Sequence, residues 1–234
     1  MTVAYTGNWS FSWLMKYEQC AFMFKLAKIE RLPEPPRPPD NPLERGNRIH
    51  KALEDYVTGK SSTPDSEARK LAPIQHVYDH MRMLYTHGMV TVEQDWFFDH
   101  NWEVCDRKDV WLWVKLDTCV LDESQALVIP GDTKSGKSGY KAVEHVQQLQ
   151  IYSATSAIKF PWANTLAPEL YYVDEGHIRQ TEMSREHALS FIGRFDQRAQ
   201  RIYDDRMFRP NPSAHTCRYC SYSPRGTGAC PVGV

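Results

Sequence analysis

The 234-residue sequence lacks any apolar run near the roughly 18 residues a membrane-spanning helix needs. Met1–Ser10 carries neither a basic n-region nor an apolar h-region, so no secretory leader is expected. The expected setting is therefore the cytoplasm, where thiols stay reduced. Net charge is also lacking: 28 basic and 29 acidic side chains leave −1. That balance excludes a uniformly basic coat, but not a local basic face or a bound cation that offsets phosphate charge. One candidate basic face runs through Arg185, Arg194, Arg198, Arg201, Arg206 and Arg209, with Glu186, Asp196, Asp204 and Asp205 interspersed. It reads equally as a solvated helix. There is no internal repeat, and no low-complexity segment beyond the prolines of Pro33–Pro42.

What is present is an ordinary globular composition, 41% hydrophobic and 24% charged. Residues 10–29 follow the helical period through Trp13, Leu14, Tyr17, Cys20, Ala21 and Phe24. The proline stretch that follows fixes φ and removes donors, so an extended connector is expected. Helices are predicted over 43–57 and 67–85, strands over 90–98, 110–121 and 126–133, then a helix over 141–158. A short strand over 170–173, a long helix over 184–207 and a cysteine-rich tail complete the order.

Asp117 falls inside the second predicted strand, and Asp132 and Lys134 at the end of the third. Strand residues two apart share a face, so Asp132 and Lys134 point the same way. A hairpin between the two strands brings Asp117 beside them. Paired carboxylates with an adjacent ammonium suit a hard divalent cation, Mg²⁺ or Mn²⁺. Taken alone, the pattern is also what a charged sheet edge looks like. The same residues overlap a second motif. Gly131–Ser138 matches G-x-x-x-x-G-K-[ST], a phosphate-cradling P-loop that would use Lys137, with Asp174 as its distant metal-binding carboxylate. Against that reading, the strands before the loop form a hairpin rather than a βαβ unit, and only one clear strand follows.

Of six cysteines, Cys105 and Cys119 sit in or beside strands as small hydrophobes. Cys217 and Cys220 form a C-x-x-C pair, and Cys230 follows. Such spacing suits a soft metal centre, and Cys20 is the available fourth ligand. His215 is a substitute ligand if the metal is zinc.

Taken together, Gly46-Asn47-Arg48-Ile49-His50, Asp117, Gly131-Asp132-Thr133-Lys134 and Gln148-Leu149-Gln150-Ile151-Tyr152 resemble, in order, the RecB-type branch of the PD-(D/E)xK nuclease superfamily. The resemblance spans roughly residues 10–230. It implies one nuclease domain over 1–234, an α/β restriction-endonuclease-like core with a central mixed sheet flanked by helices, and a cysteine-rich metal-cluster tail. It implies His50, Asp117, Asp132 and the Thr133 carbonyl as metal ligands, and Lys134 as the catalytic lysine. Gln148 and Tyr152 would face the site and the DNA, and Glu93 matches a glutamate of some members. Members with a [4Fe-4S] cluster hold it with one cysteine before the core and three after. This implies cluster-binding elements at 10–30 and 212–234, with Cys20, Cys217, Cys220 and Cys230 as ligands. The tail spacing resembles the phage type more than the CRISPR-adaptation type, and structural Zn²⁺ is the alternative. The implied activity is a DNA exonuclease of recombination, repair or genome processing in a bacterial or phage-infected cell. A homo-oligomer or a recombination/repair protein partner is compatible with it. The other readings are a P-loop nucleotide-binding protein and a non-catalytic DNA-binding protein on the nuclease fold.

Overall fold

The computed structural model describes residues 4–64, 66–139 and 141–234. Its contacts group into two units, Met1–Arg37 with Gly193–Val234, and Pro38–Ile192. No helix among the described residues is long and apolar enough to cross a membrane.

In the unit Pro38–Ile192, helix α3 (Pro42–Val57) starts where the proline stretch ends, with Asn41 accepting the Leu43 N–H and Pro42 in the first turn. Helix α4 (Gln75–Thr86) follows a 3₁₀ turn at Ala72–Ile74. It begins later than the predicted 67 because the backbone N–H groups before it are engaged elsewhere. Arg69 N donates to Asp174 Oδ1 and Lys70 N to the Val173 carbonyl, and Pro73 has no donor at all.

Strands β1 (Val90–Phe98), β2 (Leu112–Asp122) and β3 (Leu127–Lys134) pair antiparallel in sequence. Helix α5 (Ala142–Lys159) then crosses over to β4 (Thr165–Leu166) and β5 (Glu169–Tyr172), both parallel to β3. β6 (His177–Gln180) and β7 (Met183–Ser184) close antiparallel on β5 and β4. The result is an α/β fold with a mixed central sheet flanked by helices, as the resemblance implies. The short strands β4, β6 and β7 are not predicted, because β6 is nearly all exposed and the other two span two residues each.

Alternation along β5 separates the two faces. Tyr171 joins Ile49, Leu53, Tyr78, Met81, Val90 and Val120 under α3 and α4. Leu170 and Tyr172 pack with Leu149 of α5. The predicted long helix over 184–207 is two helices, α6 (Arg185–Leu189) and α7 (Ile192–Asp204). The Ser190 hydroxyl takes the His187 carbonyl at 2.6 Å and stops α6 there. Arg185, placed in the expected basic face, instead donates to the Ala157 and Phe160 carbonyls near the C-terminal end of α5.

In the other unit, the predicted helix over 10–29 is interrupted. Helix α1 (Phe11–Gln19) ends at Cys20, whose backbone is extended (φ −162°, ψ 107°). Helix α2 (Ala21–Phe24) and a π turn at Lys25–Ile29 follow. Phe24 is fully buried among the rings of Tyr5, Trp13, Tyr17 and Phe208. Arg198, a second member of the expected basic face, is buried and grips the Glu18 carboxylate at 2.8 and 2.7 Å. A last helix, α8 (Ala214–Arg218), carries Cys217.

Gly131 marks the tightest point of the sheet. A Cβ there would lie 2.4 Å from Thr118 Oγ1 and 2.7 Å from Tyr171 Cε2. Gly131→Ala should therefore cost about 1–3 kcal/mol and lower the thermal midpoint. An unchanged midpoint would show that Tyr171 gives way freely.

Candidate active site

The β2–β3 ladder stops at the pair Thr118–Gly131. Asp117 and Asp132 are the next residues on each strand, so they stand where two paired strands part. The Thr133 N–H, left without a ladder carbonyl, donates to Asp117 Oδ2 at 2.7 Å. The same oxygen lies 3.0 Å from His50 Nδ1, on the inner stripe of α3. N–H and C=O of one strand residue project to the same side. The next carbonyl, of Lys134, accepts from Val173 N at 3.1 Å on the β5 side. The Thr133 carbonyl therefore projects toward Asp117.

Glu93 lies opposite Asp117 on β1, between the pairs Val92–Thr118 and Gln94–Leu116. Its φ is +48°, a backbone state that costs a non-glycine residue about 1–3 kcal/mol. Its carboxylate contacts Lys115 Nζ at 2.6 Å. Ligand atoms from His50, Glu93 and Asp117 all lie within 4.8 Å of one another.

Asp132 is held from the other face of the sheet by α5. Its Oδ1 accepts from Gln148 Nε2 and lies within donating reach of Tyr152 Oη, each at 2.9 Å. Tyr152 Oη also accepts from Gln148 Nε2 and lies 3.0 Å from the Lys115 carbonyl. Gln148 and Tyr152 sit one turn apart on α5. Lys134 Nζ donates to Gln148 Oε1 at 2.8 Å and lies 2.5 Å from Asp132 Oδ2. That buried oxygen is charge-paired with the ammonium.

The electrostatics follow from burying these groups together. Burial and the neighbouring Asp132 charge raise the Asp117 pKa, against the lowering effect of His50 and the Thr133 N–H. Burial opposes a charged His50 ring, but the hydrogen bond and charge of Asp117 outweigh it, so the His50 pKa is raised. Burial also drives the Tyr152 phenol well above its ordinary value, which keeps it a donor. The donor set gathered here is the Glu93 and Asp117 carboxylates and the His50 imidazole, with the Thr133 carbonyl projecting toward Asp117 and the Asp132 carboxylate, paired with Lys134, on the adjoining strand. It fits Mg²⁺ or Mn²⁺.

Sequence reasoning missed three neighbours. Tyr78 of α4 is buried with its hydroxyl 3.0 Å from Thr133 Oγ1. Lys115 pairs with Glu93 and offers its carbonyl to Tyr152. His145 of α5 lies 2.7 Å from Tyr172 Oη, and burial and the Lys134 charge lower its pKa. None carries a signal that separates it from a core tyrosine or a surface cation.

The P-loop reading is not borne out. Gly131–Lys134 are extended strand, and α5 starts only at Ala142, so the octapeptide does not wrap a helix N-terminus. Asp174 is committed to Arg45, at 2.7 and 2.8 Å, and to the Arg69 N–H. Ser138 N donates to Glu175.

In the unit Met1–Arg37 with Gly193–Val234, Cys20, Cys217, Cys220 and Cys230 all line one small cavity. All four are free thiols. Phe22, Met23 and Leu26 line its apolar side. Asn211 N donates to Cys20 Sγ at 3.4 Å, and the Tyr222 and Ser223 N–H groups lie near enough to the Cys220 sulfur to favour its thiolate. Burial raises the Cys220 pKa, those N–H groups lower it, and the nearby Cys20 and Cys230 sulfurs raise it. His215 is exposed and is not part of the cavity lining.

A family model described as the PD-(D/E)XK nuclease superfamily matches residues 8–225. No curated protein matches the chain. Among solved structures, the chain is similar to a protein designated SSO0001, at 14% identity over 99% of this chain and 89% of that one, with a TM-score of 0.47. It is also similar to a phage-related exonuclease from Haemophilus somnus 129PT, at 12% identity over 86% of this chain and 95% of that one, with a TM-score of 0.33. Neither likeness is close enough to bear on function.

Despite burial of the ring, the hydrogen bond and charge of Asp117 make His50 hold its proton more tightly than a free imidazole, and a cation must displace that proton. Mn²⁺ affinity should therefore fall from about pH 8 to about pH 6, with proton release on binding. Calorimetric titration in two buffers of different ionisation enthalpy measures both. Affinity that does not change with pH would contradict this charge arrangement.

Proposed function

The chain belongs to the PD-(D/E)XK nuclease superfamily, and on that premise we propose that it is a divalent-metal-dependent exonuclease hydrolysing phosphodiester bonds in DNA. The observation that supports this reading best is the convergence of Asp117, Asp132 and Lys134 where β2 and β3 part, with His50 and Glu93 beside them. His50, Asp117, Asp132 and the Thr133 carbonyl would hold the cation, with Glu93 as a further ligand. Bound there, Mg²⁺ or Mn²⁺ lowers the pKa of a coordinated water and offsets charge on the scissile phosphate.

The protein's own groups do the rest. Lys134, steered by Gln148 Oε1 and Asp132 Oδ2, orients the attacking water and donates to charge that develops on the phosphate. Gln148 and Tyr152 fix the Asp132 carboxylate so that it need not reorganise during the reaction. The resemblance of His50 to the histidine of end-processing members supports an exonuclease over internal cutting. The reading places the enzyme in recombination, repair or genome processing of a bacterial or phage-infected cytoplasm.

The four cysteines of the terminal unit would hold a [4Fe-4S] cluster, with structural Zn²⁺ as the alternative. The Asn211 N–H directed at Cys20 Sγ, and the N–H groups near the Cys220 sulfur, support thiolate ligands, since such donors stabilise anionic sulfur. The cluster's role would be to staple helices α1 and α2 to the tail.

Asp117→Ala and Lys134→Ala should each lower Mg²⁺-dependent cleavage of end-labelled linear DNA by about 10²–10³-fold or more while the fold survives. Undiminished cleavage by either variant would overturn the catalytic assignment. Covalently closed circles should stay intact under conditions that degrade the linear form, and cutting of circles would overturn the exonuclease assignment. Protein purified without oxygen should be brown, absorb near 400 nm (roughly, as iron–sulfur thiolate centres do) and lose its iron in Cys20→Ser. A colourless protein with stoichiometric zinc would decide for the alternative.

A further inference from the structure

The tail differs in charge from the rest of the chain. From Arg206 to Val234 the sequence holds four arginines and no carboxylate side chain, while the preceding 205 residues hold 24 basic and 29 acidic ones. Arg209, Arg218 and Arg225 are exposed. Within this segment Tyr219 stands between Cys217 and Cys220, which line the cavity on either side of it, yet Tyr219 itself is 73% exposed. The Arg218 guanidinium lies 5.3 Å from its ring centroid. The loop is thus anchored inward through its cysteines and presents outward a planar cation beside a planar ring. Burial does not account for an aromatic ring held in this way.

We propose that this tail is a binding surface for an unpaired DNA strand end, in which Tyr219 stacks on a base while Arg209, Arg218 and Arg225 neutralise phosphates. The proposal rests on DNA being the substrate. Arginine and tyrosine supply the two things a single strand offers, backbone charge and an open base face. An acidic protein surface matches only the charge. A base within a duplex is already stacked on its neighbours, so Tyr219 selects strands whose bases are free. The surface therefore narrows the substrate from DNA in general to DNA with a single-stranded end.

The test is fluorescence anisotropy of the full-length protein with fluorescein-labelled dT20 and with a blunt 20-base-pair duplex, without added divalent cation. Tyr219→Ala should weaken dT20 binding about tenfold and leave the duplex nearly unaffected. Tyr219→Phe, which keeps the ring, should bind as the parent protein does. Replacing Arg218 and Arg225 together by Ala should reduce the salt dependence of dT20 binding, lowering the log–log slope by about 1.4. The proposal is overturned if Tyr219→Ala binds dT20 normally, if it loses equally on both DNAs, or if Tyr219→Phe fails as Tyr219→Ala does. Cleavage by the parent protein is scored separately. A protein that shows these binding changes but cuts nothing fails the nuclease reading alone. One that cuts normally but shows none of them fails this proposal alone.

Discussion

The hydrogen bond from the Thr133 N–H to the Asp117 carboxylate is the constraint on which the candidate site depends. Two antiparallel strands part after Thr118–Gly131, and each backbone group beyond that point must find another partner. A side-chain carboxylate takes the place of the missing ladder carbonyl. That substitution fixes Asp117 in β2 against the backbone of β3, beside His50, and turns the Thr133 carbonyl into the same space. On the β5 side, β3 continues its ladder through Lys134. One strand therefore has a structural edge and a chemical edge, and the alternation of its side chains delivers Asp132 and Lys134 to Gln148 and Tyr152 of α5. The cost of such a centre is visible in the burial of the Asp132–Lys134 ion pair and in the left-handed backbone of Glu93.

Much of this was legible in the sequence because period and spacing encode it. The two-residue step from Asp132 to Lys134 and the four-residue step from Gln148 to Tyr152 survive any change of register, since each lies within one element. The hairpin of β2 and β3 was readable from the turn between them, and the helix after β3 from its change of period. Other features were not, and each has a physical cause. The start of α4 was misplaced because Arg69 and Lys70 give their N–H groups to the distant segment Val173–Asp174, which no local pattern reports. The helix break at Cys20 was missed because Leu14, Tyr17, Ala21 and Phe24 keep the helical period across it. The role of Lys115 was hidden because the site uses its backbone carbonyl as well as its ammonium.

The P-loop overlap shows how a motif can be satisfied in letters and refused by the backbone. Gly131 is small because Thr118 and Tyr171 close over it, not because a phosphate approaches. Asp174, read as a distant metal ligand, is neutralised by a bidentate arginine and holds the segment before α4 in place. Arg185 and Arg198 likewise leave the expected basic face, one for carbonyls near the end of α5 and the other for Glu18. The basic character left in the terminal region lies in the tail after Arg206, in the same unit as the four-cysteine cavity.

The central claim is that His50, Glu93, Asp117, Asp132 and the Thr133 carbonyl form one divalent-cation centre served by Lys134. Anomalous diffraction from crystals soaked in Mn²⁺ tests it most directly. The account predicts one dominant peak bounded by Asp117, Asp132 and His50, within coordination distance of the Thr133 carbonyl. A site left empty at saturating Mn²⁺, or a dominant peak at Asp174 or the Ser135–Ser138 loop instead, would contradict it.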